Sequence, residues 1–171
     1  MKDTDFKQNL AWEFWKIADA KSAEAKSDFT NIEKYWELLF DRYDKDVFDH
    51  LYHTLEITLT WPETYESHKA LLKKAIQKEA ENIKINGQPT DLWGLGREIF
   101  SIIKDKNISD FLDIYLYLLE QIDTNIMWYY ETKAWIELFK SITPSNSEQK
   151  AICDRILIKL KQLYPELLLQ Q

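Results

Sequence analysis

The segment Asp110-Phe-Leu-Asp-Ile-Tyr-Leu-Tyr-Leu-Leu-Glu-Gln-Ile122 contains the longest strongly apolar run of this 171-residue chain. At about 100° per residue, its apolar side chains cover nearly the whole circumference of a helix. A helix that is apolar almost all round is surrounded by protein, so we expect this helix at the centre of a core. The predicted core side chains are Phe111, Leu112, Ile114, Tyr115, Leu116, Leu118, Leu119 and Ile122.

The composition around this segment favours an all-α fold. The chain has only three Gly and four Pro, and 14% of its residues are aromatic, including seven Trp. Few turn residues argue against a β-sandwich or barrel. We therefore predict one all-α domain over residues 1–171, an irregular helical bundle of about eight helices. Residues 1–27 are expected either as a loosely packed helix and linker or as part of the bundle.

A HEAT-like series of antiparallel helix hairpins is the alternative architecture. It is suggested by a weak sequence similarity between Trp36-Glu-Leu-Leu-Phe40 and Trp135-Ile-Glu-Leu-Phe139. The spacing between tryptophans has no fixed period, so an irregular bundle is preferred.

For two other helices the sequence predicts both the buried face and the first residue. A helix over 4–20 is predicted to bury Phe6, Leu10, Phe14 and Ile17, and capping patterns place helix starts at Thr30, Asp46, Ser109 and Ser145. A helix over 47–59 is predicted to bury Val47, Phe48, Leu51, Tyr52, Leu55 and Leu59.

The net charge of the chain, −7, is carried by residues 28–66, which hold ten acids and three bases. Charge confined to one stretch makes a local field that selects partners of opposite sign. It disfavours direct nucleic-acid binding, because phosphate contacts need clustered Lys and Arg. The partner expected is therefore a basic protein.

The candidate partner-binding residues are six carboxylates of this stretch. Along a helix, like charges four residues apart repel, and only Lys34 is near enough in that helix to relieve them. A sequence that keeps these like charges together despite their repulsion indicates a docking surface for a partner. The alternative is a solvated charged face that keeps the protein soluble. The six are Glu33, Glu37, Asp41, Asp44, Asp46 and Asp49.

The histidines offer a second hypothesis, a metal or acid/base site. His50 and His53 lie three residues apart on the outward side of their helix, each four residues after an aspartate. Two imidazoles and two carboxylates can ligate a metal, but the same spacing gives ordinary surface pairs. A third ligand would have to come from elsewhere, and His68 is the only other histidine. No metal or other cofactor is predicted.

Two further side chains could carry chemistry. Glu131 falls inside an apolar stripe between Trp128 and Trp135, so its carboxylate either has a raised pKa or is hydrogen-bonded. Cys153 is the only cysteine and shares a face with Leu157, which predicts a small buried hydrophobe. No phosphate loop, nucleotide fingerprint or serine-hydrolase motif is present.

The sequence favours a non-enzymatic acidic module that binds protein, most simply an inhibitor or immunity-type protein that masks the basic surface of a nuclease toxin. A helical-repeat adaptor that binds a peptide is the second hypothesis. An enzyme that uses His50 and His53, or Glu131, is the third. The single cysteine and the absence of a long apolar segment predict a cytoplasmic protein without a membrane partner.

Overall fold

Helices account for the regular structure of the part of the chain that can be described. A computed structural model describes residues 3–20, 22–41, 43–86, 92–121 and 136–165. The α-helices are α1 (Asp3–Asp19), α2 (Ala23–Ile32), α3 (Lys45–Thr58), α4 (Tyr65–Asn86), α5 (Leu92–Lys106), α6 (Ile108–Gln121) and α7 (Ser147–Leu163). A 3₁₀ helix spans Glu33–Leu39, and residues 136–140 are helical. The protein is all-α, and these ranges contain no strand.

The contacts divide the chain into two compact units, Met1–Leu95 and Gly96–Gln171. Each has its own buried core, built around α3 in the first unit and α6 in the second. The single domain and the HEAT-like arrangement both stay predictions.

In the first unit α1 and α3 pack side by side in parallel. Gln8 contacts Asp46, Trp12 contacts His50 and Trp15 contacts His53. The residue numbers of both helices therefore increase in the same direction. Helix α4 returns antiparallel to α3, since His68 contacts Thr58 while the later residue Glu79 approaches the earlier Tyr52. The predicted face of α3 is confirmed, because all six side chains are buried.

The predicted buried stripe of α1 is confirmed at Phe14, but Phe6 is 43% exposed, and Leu10 and Ile17 are only partly buried. Lys7, Ala11 and Ala18, each one position further along the chain, are buried instead. Two alanines allow the backbone of α1 to approach its neighbours closely. Lys7 then buries its aliphatic stem while its ammonium group reaches a carboxylate at the surface.

The predicted helix start at Thr30 is also wrong. Thr30 lies within α2, which already begins at Ala23. The chain then tightens into the 3₁₀ helix, in which side chains three residues apart eclipse one another. Trp36 and Leu39 form the buried edge, whereas Tyr35 and Leu38 form an exposed edge.

In the second unit α6 is central, as predicted from its apolar circumference. The seven predicted core side chains between Phe111 and Leu119 are all buried, and Ile122 lies outside the described residues. The Phe100 ring of α5 lies edge-on to Phe111 and Tyr115, with centroids 6.0 Å apart in both pairs. Helix α7 is joined to α6 by the Gln149–Ser109 hydrogen bond and the Arg155–Glu120 ion pair.

Candidate functional site

The six predicted carboxylates extend from the 3₁₀ helix to the middle of α3. Glu37, Asp41 and Asp46 are exposed, and Asp44 and Asp49 are partly exposed. Glu33 begins the 3₁₀ helix, but its side chain lies outside what the structure describes.

Two of these carboxylates are paired with lysines from other helices. The Lys7 ammonium of α1 lies 3.4 Å from the carboxylate of Asp41, and Lys74 of α4 pairs with Glu37. The lysines are 34 and 37 residues away along the chain. Repulsion within the acidic stretch is therefore relieved by tertiary contacts, and not only by Lys34 as the helical spacing suggested.

Asp44 and Asp46 accept hydrogen bonds from neutral groups. Asp44 caps α3 by accepting a hydrogen bond from the Val47 backbone N–H at 3.1 Å, so the predicted cap at Asp46 is wrong. Asp46 instead accepts a hydrogen bond from the side-chain amide of Gln8 at 3.2 Å. These two carboxylates flank Lys45, the first residue of α3.

Exposed apolar side chains accompany the carboxylates. Tyr35 and Leu38 are 43% and 41% exposed, although both are large and apolar enough to be core residues. They lie on either side of Trp36 and Glu37 in sequence, and the 3₁₀ geometry turns both outward. An exposed apolar pair among acids is the arrangement expected where another protein binds.

His50 and His53 contact the aromatic rings of α1. The Trp12 ring lies 5.1 Å from the His50 ring, and Trp15 lies 6.3 Å from His50 and 6.5 Å from His53. Burial, and to a smaller extent the nearby His53, lower the pKa of His50 against the opposing effect of Asp46. In the part of the chain that the structure describes, no three His, Cys, Asp or Glu side chains are grouped so as to hold a metal ion.

The two tryptophans were missed by the sequence reasoning. They could have been noticed in the sequence, because both Trp12 and Trp15 lie outside the predicted apolar stripe of their helix. Two large aromatics placed off a helix's apolar stripe are candidates for a binding surface.

His68 is a buried structural histidine. Its side chain is fully inaccessible, and its Nδ1 lies 2.6 Å from the Thr58 hydroxyl. The Trp36 ring packs edge-on against it at 5.4 Å. Burial lowers the pKa of His68 to about 4, so the imidazole is neutral at pH 7.

Glu131 lies outside the described residues, so its predicted perturbation stays a prediction. The structure shows a different buried carboxylate, Glu79 of α4, which is 1% exposed. It lies near the buried hydroxyl of Tyr52, whose pKa is raised by burial and by this carboxylate. Glu79 was not among the residues predicted from the sequence.

In the second unit a groove of about 530 Å³ runs beside the start of α7. Its apolar wall includes Phe139, Ile142 and Leu157, and Cys153 is buried at its side. Burial, followed by the neighbouring Asp154, raises the pKa of the Cys153 thiol. The thiol is therefore protonated at pH 7 and behaves as the predicted small hydrophobe rather than a nucleophile.

Compared with known proteins, the chain gives no significant match to any family model, curated sequence or solved structure.

None of the helices in the described ranges combines the length and apolarity needed to cross a bilayer.

Proposed function

We propose that this protein is a non-enzymatic binding module that recognises a basic surface of another protein. The observation that carries the proposal is the exposed pair Tyr35 and Leu38 within the segment that holds the net charge of the chain. Apolar anchors supply the binding energy, and surrounding carboxylates supply orientation and a fast approach.

The charges of the docking surface are of two kinds. Asp44 and Asp46 accept hydrogen bonds from neutral groups, whereas Glu37 and Asp41 are paired with Lys74 and Lys7. The Lys74–Glu37 ion pair is exposed and therefore weak, so a cationic partner can replace Lys74 at low cost, whereas Lys7 is buried beside Asp41. The proposed surface retains all six carboxylates and includes Asp44 and Asp46 at the start of α3.

The partner we favour is a toxin with a basic active site, such as a nuclease. Carboxylates there would occupy the place of nucleic-acid phosphates, which is how an inhibitor or immunity protein masks such a site. A partner of this kind would meet the module in the cytoplasm, and no cofactor is needed.

The test uses the product of the gene next to this one as the candidate partner. Association is measured by stopped flow or biolayer interferometry at about 50 and 500 mM salt, where the screening length changes severalfold. We expect the association rate to fall steeply with salt. We also expect Asp46→Lys to slow association and Tyr35→Ala with Leu38→Ala to speed dissociation.

Ile158→Ala is the matched control, because Ile158 is an exposed apolar residue of the second unit. It should leave both rates unchanged. Association that is insensitive to salt, together with unchanged binding by the Tyr35 and Leu38 variants, would contradict the proposal.

A further inference from the structure

Four aromatic rings form a continuous cluster where α1 meets α3. Trp12 and Trp15 lie 4.6 Å apart on α1, and His50 and His53 face them from α3 at 5.1 to 6.5 Å. The parallel register of the two helices makes this possible, since each helix contributes residues three apart on one face. We call this set, Trp12, Trp15, His50 and His53, the aromatic cluster.

The aromatic cluster is partly open to solvent. Trp12 is 39% exposed, and the other three residues are partly exposed. The lowered pKa of His50 keeps its imidazole neutral at pH 7. Indole faces are the best cation-binding faces among side chains, because their ring quadrupole is negative above and below the plane.

Carboxylates outnumber lysines on both helices of the cluster. Helix α3 has three carboxylates and one lysine, and α1 has four carboxylates and two lysines, of which Lys16 pairs with Glu13, the residue after Trp12. Asp46 lies one turn before His50 and accepts a hydrogen bond from a neutral amide, while a Glu56 carboxylate oxygen lies 3.7 Å from His53. An anionic group would be repelled here, and a cation would gain both ring and carboxylate contacts.

We propose that the aromatic cluster binds the guanidinium group of an arginine side chain on a partner protein. Arginine fits better than lysine because its planar, weakly hydrated group stacks on aromatic rings and can donate to a carboxylate at the same time. This inference rests on the proposed function, since the arginine comes from the basic partner, and it names the anchor that the partner would supply.

The test uses a short peptide whose only charged group is one central arginine, acetylated and amidated at its ends. The matched control is the same peptide with citrulline, which has nearly the same shape but no charge. Binding is followed by the indole N–H signals in NMR spectra, with those of Trp12 and Trp15 assigned from Trp12→Phe and Trp15→Phe. We expect both signals to shift with the arginine peptide, and the citrulline peptide to bind at least about five-fold more weakly.

Variants connect the binding to the cluster. Trp12→Ala should weaken arginine binding about five-fold, the loss of one exposed cation–π contact, while Trp12→Phe should retain part of it. Tyr35→Ala removes an equally exposed aromatic elsewhere in the acidic segment and should have no effect. Circular dichroism of each variant confirms that the fold is intact.

Equal binding of the citrulline and arginine peptides, or unchanged binding by Trp12→Ala, would overturn the inference. So would an absence of shifts at Trp12 and Trp15 up to the highest peptide concentration. None of these results affects salt-dependent partner binding that requires Tyr35 and Leu38, so the inference and the proposed function can fail separately.

Discussion

At the scale of single residues, burial decides what each titratable group does. His53 is partly exposed beside Glu56, whereas His68 is enclosed between Thr58 and Trp36. The fold encloses His68 and keeps its imidazole neutral at pH 7. The consequence is a dependence of stability on pH that can be assigned to one side chain.

We predict that His68 makes the protein sensitive to mild acid. Its pKa is about 4 in the folded state, against an ordinary value of 6.5. The unfolded chain therefore takes up the proton first, and stability falls as the pH drops from 6.5 towards 4. Between pH 7.5 and 5, the free energy of unfolding in urea should decrease by about 2 kcal/mol because of this residue.

The control for this prediction is a comparison of His68→Gln with His53→Gln. The first variant should be less stable at pH 7.5 and should lose most of the excess pH dependence, whereas the second should behave like the parent. An equally steep loss of stability in His68→Gln would assign the effect to other groups.

At the scale of elements, the start of α3 shows how a tertiary contact decides between two residues that could each cap the helix. Asp44 and Asp46 are both suitable caps, and the sequence pattern does not distinguish them. The structure uses Asp44 for the cap and turns Asp46 towards Gln8 of α1. The starts of α6 and α7 are displaced likewise, with Asn107 and Asn146 as caps in place of Ser109 and Ser145.

We predict that Asp44→Ala destabilises the protein by about 1 kcal/mol, the usual cost of losing an N-cap. Asp44→Asn should be nearly neutral, because an amide oxygen can accept the same hydrogen bond. Asp46→Ala should cost about 0.5 kcal/mol or less, since its contact with Gln8 is exposed. Urea denaturation measures all three, and a larger loss for Asp46→Ala than for Asp44→Ala would place the cap at Asp46.

At the scale of the whole molecule, the two compact units raise the question of how many cooperative transitions the chain has. Leu51 belongs to the core of the first unit and Leu116 to that of the second. Five of the seven tryptophans lie in Met1–Leu95, so fluorescence mainly reports the first unit, whereas circular dichroism reports both.

We predict a single unfolding transition, as the one-domain prediction requires. Leu51→Ala and Leu116→Ala should each cost about 2–5 kcal/mol and should shift the fluorescence and dichroism midpoints together. Two transitions, each moved by only one of the variants, would show instead that the units unfold as separate domains. A melting temperature of Leu116→Ala close to that of the parent would contradict the central place of α6.

The sequence by itself determined the all-α class, the buried face of α3 and the central place of α6. These follow from composition and from periodicity within one helix, which are local properties of the chain. Only the tertiary structure decided which side of α1 is buried, that Lys7 and Lys74 meet the acidic segment, and that two tryptophans meet two histidines. Those contacts join residues 34 to 38 positions apart, and no pattern within a single helix specifies the packing that brings them together.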